Sequence, residues 1–162
     1  MNRFEELENE ASSLDIEVID IDIPVTGMNA AYLNLSGVAR IFLRNSGTVR
    51  ERACWMAEEL GHHHTGEKLV LRYRNVNDWR AEARARRWAH MRLLTPEAIY
   101  TAARNTDDMY EIAEALDVSV EFLRESIDDF QSKGIWSSNF VSVGEIDMMV
   151  CQVKCANSWR KA

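Results

Sequence analysis

The chain has 162 residues, 46% of them hydrophobic and 28% charged, with a formal net charge of −7. This is the profile of one globular domain long enough for a real core, and the acidic balance argues against nonspecific binding to nucleic acid. No run of about 18 apolar residues occurs, so no membrane span is expected. The acidic start M-N-R-F-E-E-L-E-N-E lacks the apolar stretch of a signal peptide. Cys54, Cys151 and Cys155 are widely spaced, as suits reduced thiols, and a cytoplasmic protein is expected. The Cys151-x3-Cys155 spacing is not the C-x2-C of structural zinc sites and is assigned no metal.

Phe4 to Ser12 reads as a short helix. Ile16 to Ile23 alternates apolar and polar residues with one doubled position, which predicts a half-buried strand ended by Pro24. Asn29 to Leu35 and Val38 to Arg44 flank Ser36-Gly37 as the arms of a hairpin. After the turn Asn45-Ser46-Gly47, Thr48 is the candidate N-cap of a helix from about Val49 to His63. Gly61 inside it costs roughly 1 kcal/mol relative to Ala, which marks either close approach of another backbone or the nearby helix end.

A second helix is expected over Asp78 to Leu94, with Asp78 as N-cap and Thr95-Pro96 beyond it. Ala81, Ala85, Trp88, Ala89 and Met91 to Leu94 give it an apolar side, and the alanines would let another helix pack close. Glu82 falls near that side. A buried carboxylate needs a partner, and either a metal or one of the seven arginines between Arg72 and Arg92 could supply it.

Tyr110 to Phe130 has the spacing of a helix-turn-helix. From Thr106 to Gln131, however, nine acidic residues face the one Arg124, and DNA phosphates would repel such a surface. The segment is read instead as a helical subdomain that packs on the core or recognises a protein.

The most informative stretch is Ala57 to Thr65, A-E-E-L-G-H-H-H-T. It is the H-E-x-x-H signature of zinc peptidases with Glu58 in place of the first His. That signature works because residues i and i+4 share a helical face and a metal, while the Glu at i+1 reaches the water to be activated. Glu58, His62 and Glu59 fall at about 0°, 40° and 100° around a helix, all to one side. Glutamate oxygen is an acceptable zinc ligand, so Glu58 and His62 are candidate ligands and Glu59 the candidate general base. In the other register, Glu59 with His63 would place Leu60, which has no proton chemistry, at the base position. His62 and His64 lie about 200° apart and cannot chelate one ion within a helix. The plainer alternative is a solvated helix end whose His cluster is favoured by the helix dipole.

The combination of this stretch with E-A-R-A-R-R-W-A-H-M-R-L-L-T-P resembles the ImmA/IrrE family of metallopeptidases, particularly its phage and mobile-element branch. Members carry an A-H-E-L-G-H or A-E-E-L-G-H helix and then a helix like E-x-x-A-x-x-W/F-A-x-x-L-L-x-P. The stretch M-Y-E-I-A-E-A-L-D-V-S-V-E-F-L-R-E-S-I-D-D-F resembles that branch too, and the likeness covers roughly residues 3 to 133. It implies Glu82 as third ligand and an α+β fold with a minimal zincin-like core of small sheet and active-site helix. On this reading residues 1–94 form the core, 95–133 the helical subdomain, and 134–162 a tail that matches nothing. The role implied is cleavage of a helix-turn-helix repressor encoded by the same element, with no direct nucleic-acid binding.

Zinc is the expected metal, and the oxygen-rich set Glu58, His62, Glu82 widens the choice to Mn²⁺ or Fe²⁺. His63, His64 or Tyr73 could donate to the developing oxyanion. The edge of the hairpin, Asn29 to Arg44, could hold substrate as an added strand. Loss of the first His leaves a second possibility open, a peptidase-like module that captures a partner without cutting it.

Overall fold

In a computed structural model, which describes residues 1–66 and 76–135, the chain runs α1 (Arg3–Ser13), β1 (Ile16–Ile21), β2 (Ala30–Leu35), β3 (Val38–Arg44), α2 (Val49–His64), α3 (Val76–Leu93), α4 (Pro96–Ala103), α5 (Met109–Ala115) and α6 (Val120–Ser132). The fold is α+β, with a three-stranded sheet and helices that carry the site.

The sheet order is β1-β3-β2. β2 and β3 form the expected hairpin, paired from Ala30↔Leu43 to Leu35↔Val38. Ser36 and Gly37 turn it with φ of 53° and 87°, the left-handed pair that matches the twist of a two-residue hairpin. β1 pairs parallel with β3, Ile16 opposite Ala39 through Ile21 opposite Arg44. No local turn specifies a parallel partner, and the sequence pattern does not announce this one. Strand β1 leaves the ladder at Ile21, two residues before the expected end, although Ile23 remains buried.

Alternation on β3 buries Ala39, Ile41 and Leu43, and the sheet packs against α1 and α2. Capping boxes start both helices. Asn2 and Glu5 exchange bonds at α1, and at α2 the Thr48 side chain accepts from the Glu51 N–H at 3.2 Å while the Glu51 carboxylate accepts from the Thr48 N–H at 2.7 Å. Thr48 is thus the N-cap that the sequence predicts. Asp78 is not. Helix α3 begins at Val76, so Asp78 falls within its first turn, a position where the dipole also favours a carboxylate and which sequence alone confuses with a cap.

Helices α2 and α3 pack along the stripe Ala81, Ala85, Ala89, all buried. At Gly61 a Cβ would overlap the Ala85 carbonyl oxygen and lie 2.9 Å from its carbon. Of the two explanations for this glycine, close backbone approach is the one realised. The buried cluster continues without a break from Leu7, Ile41, Met56 and Leu60 to Ile112, Phe122, Leu123 and Phe130.

Acids of α5, α6 and the turn between them are turned to arginines of the core. Arg50 meets Glu114 at 2.9 Å and Asp117 at 3.2 Å. Arg87 makes two bonds to Asp129, at 2.7 and 3.1 Å. Among the described residues no helix is long and apolar enough to cross a membrane.

Candidate metal centre

The E-E-L-G-H turn of α2 and the Glu82 turn of α3 meet across the Gly61–Ala85 contact. His62 Nε2 lies 3.3 Å from Glu82 Oε2, with the two side chains only 15% and 16% exposed. The other Glu82 oxygen, Oε1, accepts from Arg86 Nη2 at 2.8 Å. The carboxylate near the alanine stripe therefore has an arginine partner, one turn along its own helix, as well as the histidine of the motif.

Glu58 is half-buried and makes no hydrogen bond or ion pair among the described residues; it walls a cleft of about 310 Å³ together with Asn29, Trp55, Arg86, Phe122 and Glu125. Burial pushes its carboxyl up to about 7, opposed by the charge of Arg86 and reinforced by Glu59, Glu125 and Glu82. Burial likewise raises Glu59 to about 7, with Glu82 adding to the rise while His62 and a main-chain hydrogen bond from Tyr32 oppose it. Desolvation alone would lower His62, but its bond to Glu82 and the charges of Glu59, Glu82 and Glu58 more than offset that, so its pKa stands above the ordinary value.

Among the described residues, no three His, Cys, Asp or Glu side chains form a ready-made metal group. His62 and Glu82 meet as a pair, and Glu58 stands on the Arg86 side. The chemistry nevertheless fits a divalent ion. Glu58, Glu59 and Glu82 lie within electrostatic reach of one another and of His62, and burial pushes the Glu58 and Glu59 carboxyls up to about 7, a cost that a bound cation would relieve. Oxygen and imidazole nitrogen are ordinary zinc donors.

The neighbouring histidines point elsewhere. His63 Nδ1 is 2.9 Å from the Tyr32 hydroxyl. His64 Nε2 is 3.1 Å from Glu10 Oε1, and its ring stacks on Trp88 with centroids 4.3 Å apart. Tyr73, Cys151 and Cys155 lie outside the described residues. Cys54 is buried, accepts from the Ser119 N–H at 3.4 Å, and is pushed up to about 12 by burial, so it is an inert core thiol.

Two residues of the site are not singled out by sequence pattern. Tyr32 touches both Glu59, through its main chain, and His63, through its hydroxyl. Arg86 hides among many arginines, although its i+4 spacing from Glu82 is a signal.

A small mixed sheet, a helix bearing E-E-L-G-H and a facing helix bearing a glutamate together have the make-up of a minimal zincin-like core, the scaffold of a class of metallopeptidases. Residues 11–128 match the peptidase M78 family, described as the IrrE N-terminal-like domain. The chain belongs to that family, in agreement with its ImmA/IrrE resemblance. Membership makes it a metallopeptidase-like protein, and implies a metal cofactor and a protein substrate. No curated protein and no solved structure matches it significantly.

Proposed function

We propose that the protein is a metal-dependent endopeptidase acting in the cytoplasm, with Glu58, His62 and Glu82 as metal ligands and Glu59 as general base. The observation that carries this is the meeting of His62 and Glu82 at 3.3 Å across two helices, beside a second motif carboxyl held near neutrality. Zinc, or Mn²⁺ or Fe²⁺, would there polarise a peptide carbonyl and make a water easier to deprotonate.

Glu59 supplies the proton chemistry. With a cation alongside, the Glu59 carboxyl would be ionised, ready to take a proton from the attacking water and pass it to the leaving amine. The main-chain N–H of Tyr32 holds that carboxylate against β2. Among the described residues β2 is an edge strand, and the substrate would add to it by main-chain pairing, which would bring a peptide bond alongside Glu59. The acidic surface of α5 and α6 suits a protein target with basic patches, and a helix-turn-helix repressor of the same phage or mobile element has that character.

The Arg86–Glu82 ion pair favours a second reading, in which an arginine replaces the metal and the protein binds a repressor without cutting it. One experiment separates the two. The zinc-supplemented protein is incubated with the repressor encoded beside it, in parallel with Glu59→Gln. The endopeptidase reading expects cleavage by wild type and at least about 10² slower cleavage by the variant, with zinc content unchanged. Repressor binding without cleavage by wild type would establish the second reading instead.

A further inference from the structure

Glu58 creates a charge problem. Catalytic zinc is often held by two His and one Glu, a set with one negative charge, whereas Glu58, His62 and Glu82 bring two. The added charge strengthens the hold on a cation but neutralises more of its electron-withdrawing power. A fixed positive charge beside the ligands would restore the balance.

Arg86 occupies that position. Its Nη2 donates to Glu82 Oε1 at 2.8 Å, which leaves Oε2 directed at His62. Its Nε lies 3.9 Å from Glu125 Oε2 on α6, is buried, and has no hydrogen bond of its own among the described residues. With Glu58, Arg86 lines the cleft between α2, α3 and α6. One guanidinium is thus set among carboxylates from three helices. An ordinary i,i+4 surface pair contributes little and faces solvent; here the Arg86 side chain is 43% exposed, but its Nε is buried and its Glu82 partner, only 16% exposed, is itself a candidate ligand.

We propose that Arg86 is the charge-compensating residue of this variant site, offsetting the carboxylate that Glu58 brings in place of histidine so that the ion keeps the acidity of a one-carboxylate centre. This rests on the ligand assignment given above. Arg86 acts through Glu82 and Glu58 and is a positioning residue. The sign of its effect distinguishes it from a structural arginine. Removing a structural ion pair would loosen the site and weaken metal binding. Removing a compensating charge should tighten it, because a dication feels the lost repulsion about twice as strongly as a proton competing for the same carboxylates.

The test is Zn²⁺ affinity, read by competition with a chromophoric chelator, for wild type, Arg86→Gln and Arg86→Lys, with circular-dichroism melts of the metal-free proteins. Arg86→Gln keeps a donor for Glu82 and removes the charge. It should bind Zn²⁺ at least about tenfold more tightly while cleaving substrate more slowly, and Arg86→Lys should stay within about threefold of wild type. Equal or weaker Zn²⁺ binding by folded Arg86→Gln overturns the proposal. If Arg86→Gln does not fold, the comparison moves to the Glu58→His background, which has one carboxylate fewer to compensate; there too loss of the charge must tighten Zn²⁺ binding, and failure to do so overturns it. Wild type that binds no Zn²⁺ overturns the ligand assignment itself.

Discussion

Replacing Gly61 by alanine tests the packing that assembles the site. In an ordinary helix interior this change stabilises by about 1 kcal/mol, because glycine has the greater backbone entropy to lose. At Gly61 the new methyl would overlap the Ala85 carbonyl oxygen and lie 2.9 Å from its carbon. The obstacle is backbone, which cannot rotate away as a flexible side chain can. Overpacking of this kind costs about 1–3 kcal/mol, and a rigid neighbour places it towards the upper end. The net expectation is destabilisation by about 1–2 kcal/mol, a reversal of the usual sign. Moving α3 away from α2 also separates His62 from Glu82, now 3.3 Å apart. Metal sites tolerate displacements of only about 0.5 Å, so Zn²⁺ affinity should fall by at least about tenfold. Urea unfolding of the metal-free proteins gives the first quantity and a chelator competition the second. A Gly61→Ala protein about 1 kcal/mol more stable than wild type, with unchanged Zn²⁺ affinity, would refute the close-approach argument.

Glu82→Gln removes a ligand charge with little change of shape, and should lower zinc content measured by elemental analysis; equal, near-stoichiometric zinc in both proteins would leave Glu82 as merely the partner of Arg86. The metal-free protein should lose stability between about pH 5 and pH 8. Glu58 and Glu59 rise from 4.5 to about 7 on folding, so the unfolded chain ionises first as pH climbs, and His62, raised from 6.5, loses its stabilising proton in the same direction; His90, lowered from 6.5 to about 4, works the other way but offsets only one of these groups. The midpoint of thermal unfolding should therefore be lower at pH 8 than at pH 5 by several degrees, at about 2–4 °C per kcal/mol, and added zinc should reverse the fall; a midpoint that climbs steadily with pH in metal-free protein would contradict these shifts.

What the sequence discloses is local chemistry. Thr48 with Glu51, and Ser36 with Gly37, declare a helix start and a hairpin because capping and turn geometry depend on adjacent residues. The alanines at 81, 85 and 89 and the glycine at 61 likewise foretell a close helix pair, since small residues at i+4 spacing leave room for little else. The parallel partnership of β1 with β3 escapes, because it joins strands that are not consecutive in the chain and no turn specifies it. Asp78 misleads for a different reason: a carboxylate favours the cap and the first turn alike. In the site, Glu58, Glu59 and His62 are legible from helical spacing alone, whereas Tyr32 is not. Its two contacts to α2 exist only once the sheet is assembled. Arg86 is in view from the start as one arginine among many, its i+4 spacing from Glu82 a signal, but its place beside Glu58 and Glu125 appears only in the fold.

The proposed site is a divalent ion held by two glutamates and one histidine. Zinc K-edge X-ray absorption on the purified, zinc-loaded protein tests it most directly, since scattering distinguishes oxygen, imidazole and sulfur. The expected result is one zinc per chain, light-atom ligands at about 2.0–2.1 Å, the outer scattering of a single imidazole, and no sulfur. A zinc-free protein, a second imidazole from His63 or His64, or sulfur at about 2.3 Å would contradict it.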